Sequence, residues 1–313
     1  MIAFGPVPSR RLGRSLGINN IPPKVCTYSC VYCQVGKTRR MQVERCPFYE
    51  PEDIFKNVRK QVMKAKKKGE SIDYLTFVPD GEPTLDANLG HEIDLLKSMG
   101  IKIGIITNAS LIFREDVRKD LMKADWVSLK IDSIRKSSWR RINRPHRDLK
   151  LALILKGMLE FSKHFRGKLV TETMLIHSIN INTDLFEEMA QFLTRLNPAK
   201  AYLAIPTRPP AENWVRPPVP EDINIAFQVF HEKLDQVEYL IGYEGDAFAS
   251  TGNVEEDLLS ITSVHPMRKS AVSEFLKKTG ADWSLVHKLI AQSKLFETEY
   301  KEQKFYLRNL ARA

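Results

Sequence analysis

No apolar run in this chain approaches the roughly 20 residues that a membrane-spanning helix needs, so a membrane partner is not expected. The opening residues, Met-Ile-Ala-Phe-Gly-Pro-Val-Pro-Ser-Arg-Arg, hold no apolar stretch followed by a small-residue cleavage site. A secretory signal is therefore not expected, and the cytoplasm is the expected compartment. Cysteine is scarce, with four in 313 residues, all of them between positions 26 and 46. That excludes a disulfide scaffold and, in a reducing compartment, turns attention to metal binding or redox chemistry. Internal repeats and low-complexity tracts are also missing, so a repeat array is not expected.

What is present is ordinary for a globular protein: 43% hydrophobic and 27% charged residues, in a chain long enough for one large domain and one small one. The net charge of +10 favours an acidic partner such as nucleic acid or a phosphorylated molecule. Much of that excess falls on Lys56, Arg59, Lys60, Lys64, Lys66, Lys67 and Lys68, where a solvated helix face also accounts for it.

Short apolar, β-branched runs at 15–21, 72–78, 101–107, 126–131, 169–176 and 201–205 suit strands buried on both faces of a parallel sheet. Helical patterns lie between them. Pro51 opens one in which Ile54, Val58 and Val62 recur at four-residue steps before Gly69 ends it. Others fit 88–99, 114–123, 150–164, 183–196 and 221–236. Six strand–helix units in order predict an α/β fold, a parallel sheet that is open or curled into a partial (β/α)6 barrel. Sites in such sheets lie at the carboxyl ends of the strands.

The pattern changes after the sixth strand. Pro206, Pro209, Pro210, Pro217, Pro218 and Pro220 make 205–220 an irregular segment, which also carries Arg208, Trp214 and Arg216. A second turn-rich stretch covers 242–246. From residue 254 the chain reads as a separate unit, so the predicted domains are 1–253 and 254–313. Helices at 266–278 and 284–292, then a hairpin at 296–300 and 304–308, make the second unit winged-helix-like.

The central motif is Cys26-Thr-Tyr-Ser-Cys30-Val-Tyr-Cys33. Three thiolates in eight residues can wrap one corner of an iron–sulfur cube and leave one of four irons open to a ligand. The competing reading is zinc, with Cys46 as a fourth thiolate in a tetrahedral site. Other chemistry-bearing residues recur at the predicted strand ends. Strand two runs into Phe77-Val-Pro-Asp-Gly-Glu-Pro-Thr-Leu85, where Glu82 sits between Gly81 and Pro83 as a fixed acceptor with close backbone access. Strand three ends in Thr107-Asn108-Ala-Ser110, and strand four alternates Ser128, Lys130 and Asp132 on one face. In strand five Glu172, a charge in a buried strand, must be paired or face a polar cavity. Arg10, Arg11 and Arg14, and later Arg144, His146 and Arg147, are placed to receive phosphates or form a solvated surface.

The C-x3-C-x2-C spacing, with Tyr32 before the last cysteine, resembles the radical S-adenosylmethionine superfamily. The resemblance implies a [4Fe–4S] cluster on Cys26, Cys30 and Cys33. It implies a cofactor site in which Gly81 and Glu82 hold the ammonium of S-adenosylmethionine, although Asp80 stands where that family has a first glycine. Asn108 then contacts the ribose or carboxylate, or caps the next helix. Ser128 contacts the ribose, and Lys130 pairs with the carboxylate. The opening Gly5-Pro-Val-Pro-Ser-Arg-Arg-Leu-Gly-Arg-Ser-Leu-Gly-Ile18 resembles a branch of poorly characterised proteins grouped with the wybutosine-forming tRNA enzymes, over about residues 5–255. With only Cys46 beyond the triad, a second cluster is not expected, which argues against transferring the tRNA activity.

The implied reaction is one-electron cleavage of S-adenosylmethionine to methionine and a 5′-deoxyadenosyl radical that takes hydrogen from a substrate. It implies a reducing partner such as flavodoxin or ferredoxin. Two substrate classes stay open: tRNA or another nucleic acid, and a small metabolite or peptide. The alternative function is a zinc-binding, nucleic-acid-binding regulator, which accounts for the C-terminal unit but leaves the Gly-Glu-Pro and strand-four motifs without a purpose.

Overall fold

A computed structural model describes residues 2–240, 248, 253–264 and 266–309. The turn-rich stretch 242–246 lies outside the described residues. The chain begins with β1 (Ala3–Ser9), β2 (Gly13–Ile18) and the two-residue strands β3 (Val25–Cys26) and β4 (Arg40–Met41). Then come α1 (Pro51–Lys67), β5 (Tyr74–Phe77), a short 3-10 turn (Pro83–Leu85), α2 (Leu89–Lys97), β6 (Lys102–Thr107), α3 (Glu115–Leu121) and β7 (Trp126–Lys130). Two helices follow in succession, α4 (Lys136–Asn143) and α5 (Leu151–His164), and then β8 (Lys168–Met174), α6 (Thr183–Leu196), β9 (Lys200–Ala204), α7 (Pro220–His231) and β10 (Val237–Leu240).

All but β3 and β4 of these strands form one eight-stranded mixed sheet in the order β1-β2-β5-β6-β7-β8-β9-β10. The strands from β2 to β10 are parallel, and only β1 runs antiparallel, at the edge. The α/β class is as expected, but the sheet is larger than six strand–helix units. β10 was missed because it is a four-residue edge strand and the predicted helix before it ran too far. β1 was missed because Gly5, Pro6 and Pro8 interrupt its pattern. An edge strand with a register shift between Phe4 and Val7 tolerates such residues.

Each new parallel strand adds beside its predecessor, so right-handed crossovers place the helices on one face. The layer between sheet and helices buries Leu16, Leu75, Phe77, Ile103, Ile105 and Leu129 against Ile54, Val58, Ile93, Ile154, Phe161 and Phe186. Each such side chain contributes about 1.5–3 kcal/mol of burial. On the other face of the sheet a second apolar layer joins Leu12, Trp126, Val170, Tyr202, Ala204 and Leu240. No helix among the described residues is long and apolar enough to cross a membrane.

The remaining elements are α8 (Val254–Val264), β11 (Met267–Arg268), α9 (Lys269–Thr279), α10 (Trp283–Ala291), β12 (Leu295–Tyr300) and β13 (Gln303–Arg308). The sequence reading had missed α8. Gly280 ends α9 with φ +69°, a conformation that suits glycine, and the Asp282 carboxylate caps α10 by accepting from the Ser284 amide at 2.8 Å. These elements enclose their own core, centred on Leu258, Met267, Phe275, Leu276, Leu289 and Leu295. Val7 of β1 packs on that core. The Lys278 ammonium meets Glu70 at 3.0 Å, and the Tyr300 hydroxyl donates to the Pro206 carbonyl at 3.1 Å.

Candidate cofactor site

Cys26 closes β3, and the loop carrying Cys30 and Cys33 then returns to β4, which pairs with β3 in parallel. The loop is pinned from outside by the end of α4. The Ser29 amide donates to the Asn143 carbonyl at 3.0 Å and the Val31 amide to the Ile142 carbonyl at 2.9 Å. Tyr28 is buried edge-on against Trp139, whose indole N–H donates to the Tyr28 hydroxyl at 3.1 Å. All three sulfurs belong to free cysteines, and two face amide donors. Asn108 Nδ2 lies 3.5 Å from Cys26 Sγ, and Asn143 Nδ2 lies 3.4 Å from Cys30 Sγ.

The glycine–glutamate turn is stitched to this loop from the other side. A Cβ on Gly81 would sit 1.9 Å from the Val25 carbonyl oxygen, so only glycine permits the approach, and the Glu82 amide donates to that same oxygen at 3.2 Å. Glu82 is buried. Its Oε1 accepts from the Thr84 amide at 3.1 Å and from the Thr84 and Thr107 hydroxyls at 2.6 and 2.5 Å. Its Oε2 accepts from the Asn108 amide at 2.7 Å. The carboxylate thus ties the end of β5 to the end of β6. Asn108 does not cap the next helix, since α3 begins beyond Arg114; its Oδ1 accepts from the Ser110 amide at 2.9 Å within the turn after β6, while its Nδ2 donates to Thr27 at 2.8 Å.

Cys26, Cys30, Cys33, Tyr32, Gly81, Glu82, Asn108 and Lys130 all line one cavity of about 290 Å3 at the carboxyl ends of the strands. Ser128 does not line it. It is buried two residues before Lys130 on β7. Lys130 is also engaged differently from the expectation. Its ammonium pairs with Glu172 at 2.7 Å on the neighbouring strand and lies 4.8 Å from the Tyr32 ring centre. Arg11 holds the other Glu172 oxygen. Burial would raise the Glu172 carboxyl, but Lys130 and Arg11 overcome it and hold it down at about 2. Burial opposes the Lys130 charge, yet Glu172 and Asp132 outweigh it and raise that group. Two cations around one carboxylate leave this triad with one net positive charge. The Tyr32 hydroxyl donates to Asp132 at 2.5 Å, and Asn143 donates to the same oxygen at 2.7 Å.

The thiols carry the test of fit. Burial, and secondarily Glu82, pushes Cys26 up to about 12; burial and Asp132 raise Cys30 as well. Such thiols ionise only when a cation takes the place of water, which is what a cluster supplies. Two further buried groups at the cavity lack partners: Lys24 Nζ and Asp80 Oδ1 make no hydrogen bond. Burial pushes the Asp80 carboxyl up to about 7 against the pull of Lys24. The residues present fit a cluster with a charged, amino-acid-like ligand. Cys46 sits apart, bridged to Asp86 and 3.6 Å from the Gln42 amide, and is not among the cavity's walls. Four-cysteine zinc is therefore not favoured.

Sequence reasoning missed Lys24, which no periodicity marks, and α4, which supplies Asn143. It named Arg11 and Glu172 singly but had no means of joining groups 161 residues apart.

The sequence model of the Radical SAM superfamily matches residues 20–193. A UPF0026 protein of Methanocaldococcus jannaschii is 50% identical over 99% of this chain and 96% of its own length. The crystal structure of a radical SAM methyltransferase from Sphaerobacter thermophilus overlays with a TM-score of 0.56 at 14% identity, over 72% of this chain and 66% of that one. That of archaeal TYW1 overlays with a TM-score of 0.47 at 16% identity, over 71% of this chain and 72% of that one.

Proposed function

The chain belongs to the Radical SAM superfamily, and from that premise we propose that it binds a [4Fe–4S] cluster on Cys26, Cys30 and Cys33 and cleaves S-adenosylmethionine to initiate hydrogen abstraction from a substrate. The observation that carries this reading is the convergence of three free thiols from one loop with Gly81 and Glu82 on one cavity at the strand ends. When bound, the cluster and S-adenosylmethionine supply reductive cleavage to methionine and a 5′-deoxyadenosyl radical.

The chain's own residues do the holding. Asn108 and Asn143 donate to cysteine sulfurs and stabilise their thiolate form. Glu82 is locked by Thr84 and Thr107, and its Oε2, with one backbone donor, keeps acceptor capacity for an ammonium group. The Arg11–Glu172–Lys130 triad presents net positive charge to a carboxylate, so Lys130 acts with its partners rather than alone. Tyr32, fixed by Asp132, lines the cavity beside the cysteines. We assign residues 1–253 to the catalytic unit, a partial barrel curled around the inner apolar layer, and 254–313 to a winged-helix-like unit, whose helix–strand–helix–helix–hairpin order supports that name. An electron donor such as flavodoxin or ferredoxin is required, and the cytoplasm is the proposed compartment.

The test is oxygen-free reconstitution with iron and sulfide, followed by S-adenosylmethionine and a strong reductant. About four irons per chain and 5′-deoxyadenosine release are expected. Cys30→Ala is expected to keep the fold and lose both. Stoichiometric zinc without cleavage, or full release by the Cys30 variant, overturns the assignment.

A further inference from the structure

Continuous with the cysteine cavity lies a larger cleft of about 870 Å3. Three stretches far apart in sequence wall it: the turn 34–39 after the third cysteine, the proline-rich segment 209–217, and the hairpin β12–β13. Lys24, Gln34, Val35 and Gly36 line both spaces. The hydrogen bond from Tyr300 to the Pro206 carbonyl holds the hairpin over the mouth.

The walls are cationic. Lys24, Lys37, Arg39, Arg216, Lys301 and Arg308 line the cleft against one carboxylate, Glu299, among the described residues. Lys37 is engaged by Glu212 at 3.2 Å, and Arg216 donates to the Val215 carbonyl at 3.0 Å. Lys24 is different. It is only 7% exposed and its ammonium has no hydrogen-bond partner; Asp80 attracts it from the cavity side, and Arg39 stands close enough to repel it. Arg308, from the last strand of the C-terminal unit, reaches close enough to act on Asp80. Converging cations at a desolvated lysine are costly by themselves, and an anion with several oxygens removes that cost. Phe296, 43% exposed, lines the same space and offers a flat apolar face beside the charge.

We propose that this cleft is the phosphate subsite of the substrate site. It takes a phosphate-bearing substrate whose phosphoryl oxygens lie against Lys24, Arg39 and Arg308, leaving the remainder of the molecule to enter the cysteine cavity. The assignment of this ligand as substrate rests on the proposed radical chemistry; the binding of phosphate does not. The same chemistry is offered by a free nucleotide and by the phosphodiesters of a nucleic acid strand, and the walls, with an aromatic ring beside the cations, suit either.

The test uses the full-length protein and fluorescence anisotropy with labelled adenosine triphosphate and, separately, a labelled short single-stranded RNA, each challenged with inorganic pyrophosphate across a salt series. Binding displaced by pyrophosphate is expected. Arg39→Gln and Arg308→Gln, both at solvent-accessible positions, are each expected to weaken it about tenfold, the loss typical of one charge-assisted contact. Lys67→Gln, on the exposed basic face of α1, is expected to change it less than about twofold. Comparable affinity for the triphosphate identifies a free nucleotide as the source, whereas binding of RNA alone, with a steep salt slope, identifies a strand. Absence of binding by every probe at low salt, or equal weakening by Lys67→Gln, overturns the proposal. Deoxyadenosine release by the same preparation without probe separates the two readings. Release without binding defeats only the subsite, and binding without release defeats only the radical chemistry.

Discussion

Glu172 is where a single side chain has the largest leverage. It is a buried carboxylate shared by Lys130 and Arg11, and removing it strands two cations in a poorly solvated wall. Glu172→Gln is expected to cost about 3–5 kcal/mol at neutral pH, the usual penalty for breaking a buried pair from one side. Because the folded-state value is depressed to about 2, the stabilisation is complete above the unfolded value of about 4.3 and is lost as pH falls towards 2. Urea denaturation of both proteins between pH 7 and pH 3 checks this: the gap should be constant at the upper end and narrow below about pH 4.5. A gap unchanged at pH 3 contradicts the triad. The presence of Glu172 in a buried strand was legible as an anomaly; its partners were not, because Lys130 meets it through the β7–β8 register and Arg11 reaches it from a turn 161 residues away.

At the scale of elements, the critical joint is between β3 and the turn after β5. The parallel strands were readable because two-sided burial leaves continuous β-branched runs, and the glycine–glutamate–proline turn was readable as a turn. The reason for Gly81 was not. Its missing Cβ serves the Val25 carbonyl, 1.9 Å from where that carbon would lie. Gly81→Ala is therefore expected to push the cysteine loop off the end of β5, costing about 1–3 kcal/mol and lowering iron uptake in parallel. A stable variant with full iron content would show that the loop tolerates the displacement. α4 escaped sequence reasoning for a different cause. Its eight residues hold only Trp139 and Ile142 as apolar anchors, too few to register a helical period, yet its last turn supplies the carbonyls and the Asn143 amide that hold the cysteine loop.

Across the whole molecule, two cores are joined by modest contacts: Val7 against the C-terminal core, Lys278 with Glu70, and Tyr300 with Pro206. The composition change near residue 254 made the second unit legible, and the alternation in 296–308 made its hairpin legible. What no local pattern reveals is that the hairpin returns to the mouth of the first unit, since that depends on how the two cores dock. The apolar layer of Leu12, Trp126, Val170 and Tyr202 continues into Ala204 and Leu240, which line the cysteine cavity, and the cationic cleft opens beside it through the shared wall of Lys24, Gln34, Val35 and Gly36. With the proposed phosphate subsite as the door, two ligands that share it form a queue. Under the proposed function, S-adenosylmethionine takes the inner position, so a phosphate-bearing ligand already seated in the cleft is expected to slow its association without changing the final affinity. Stopped-flow mixing in both orders of addition would read that asymmetry directly; equal association rates in both orders would mean that the door is wider than the walls imply.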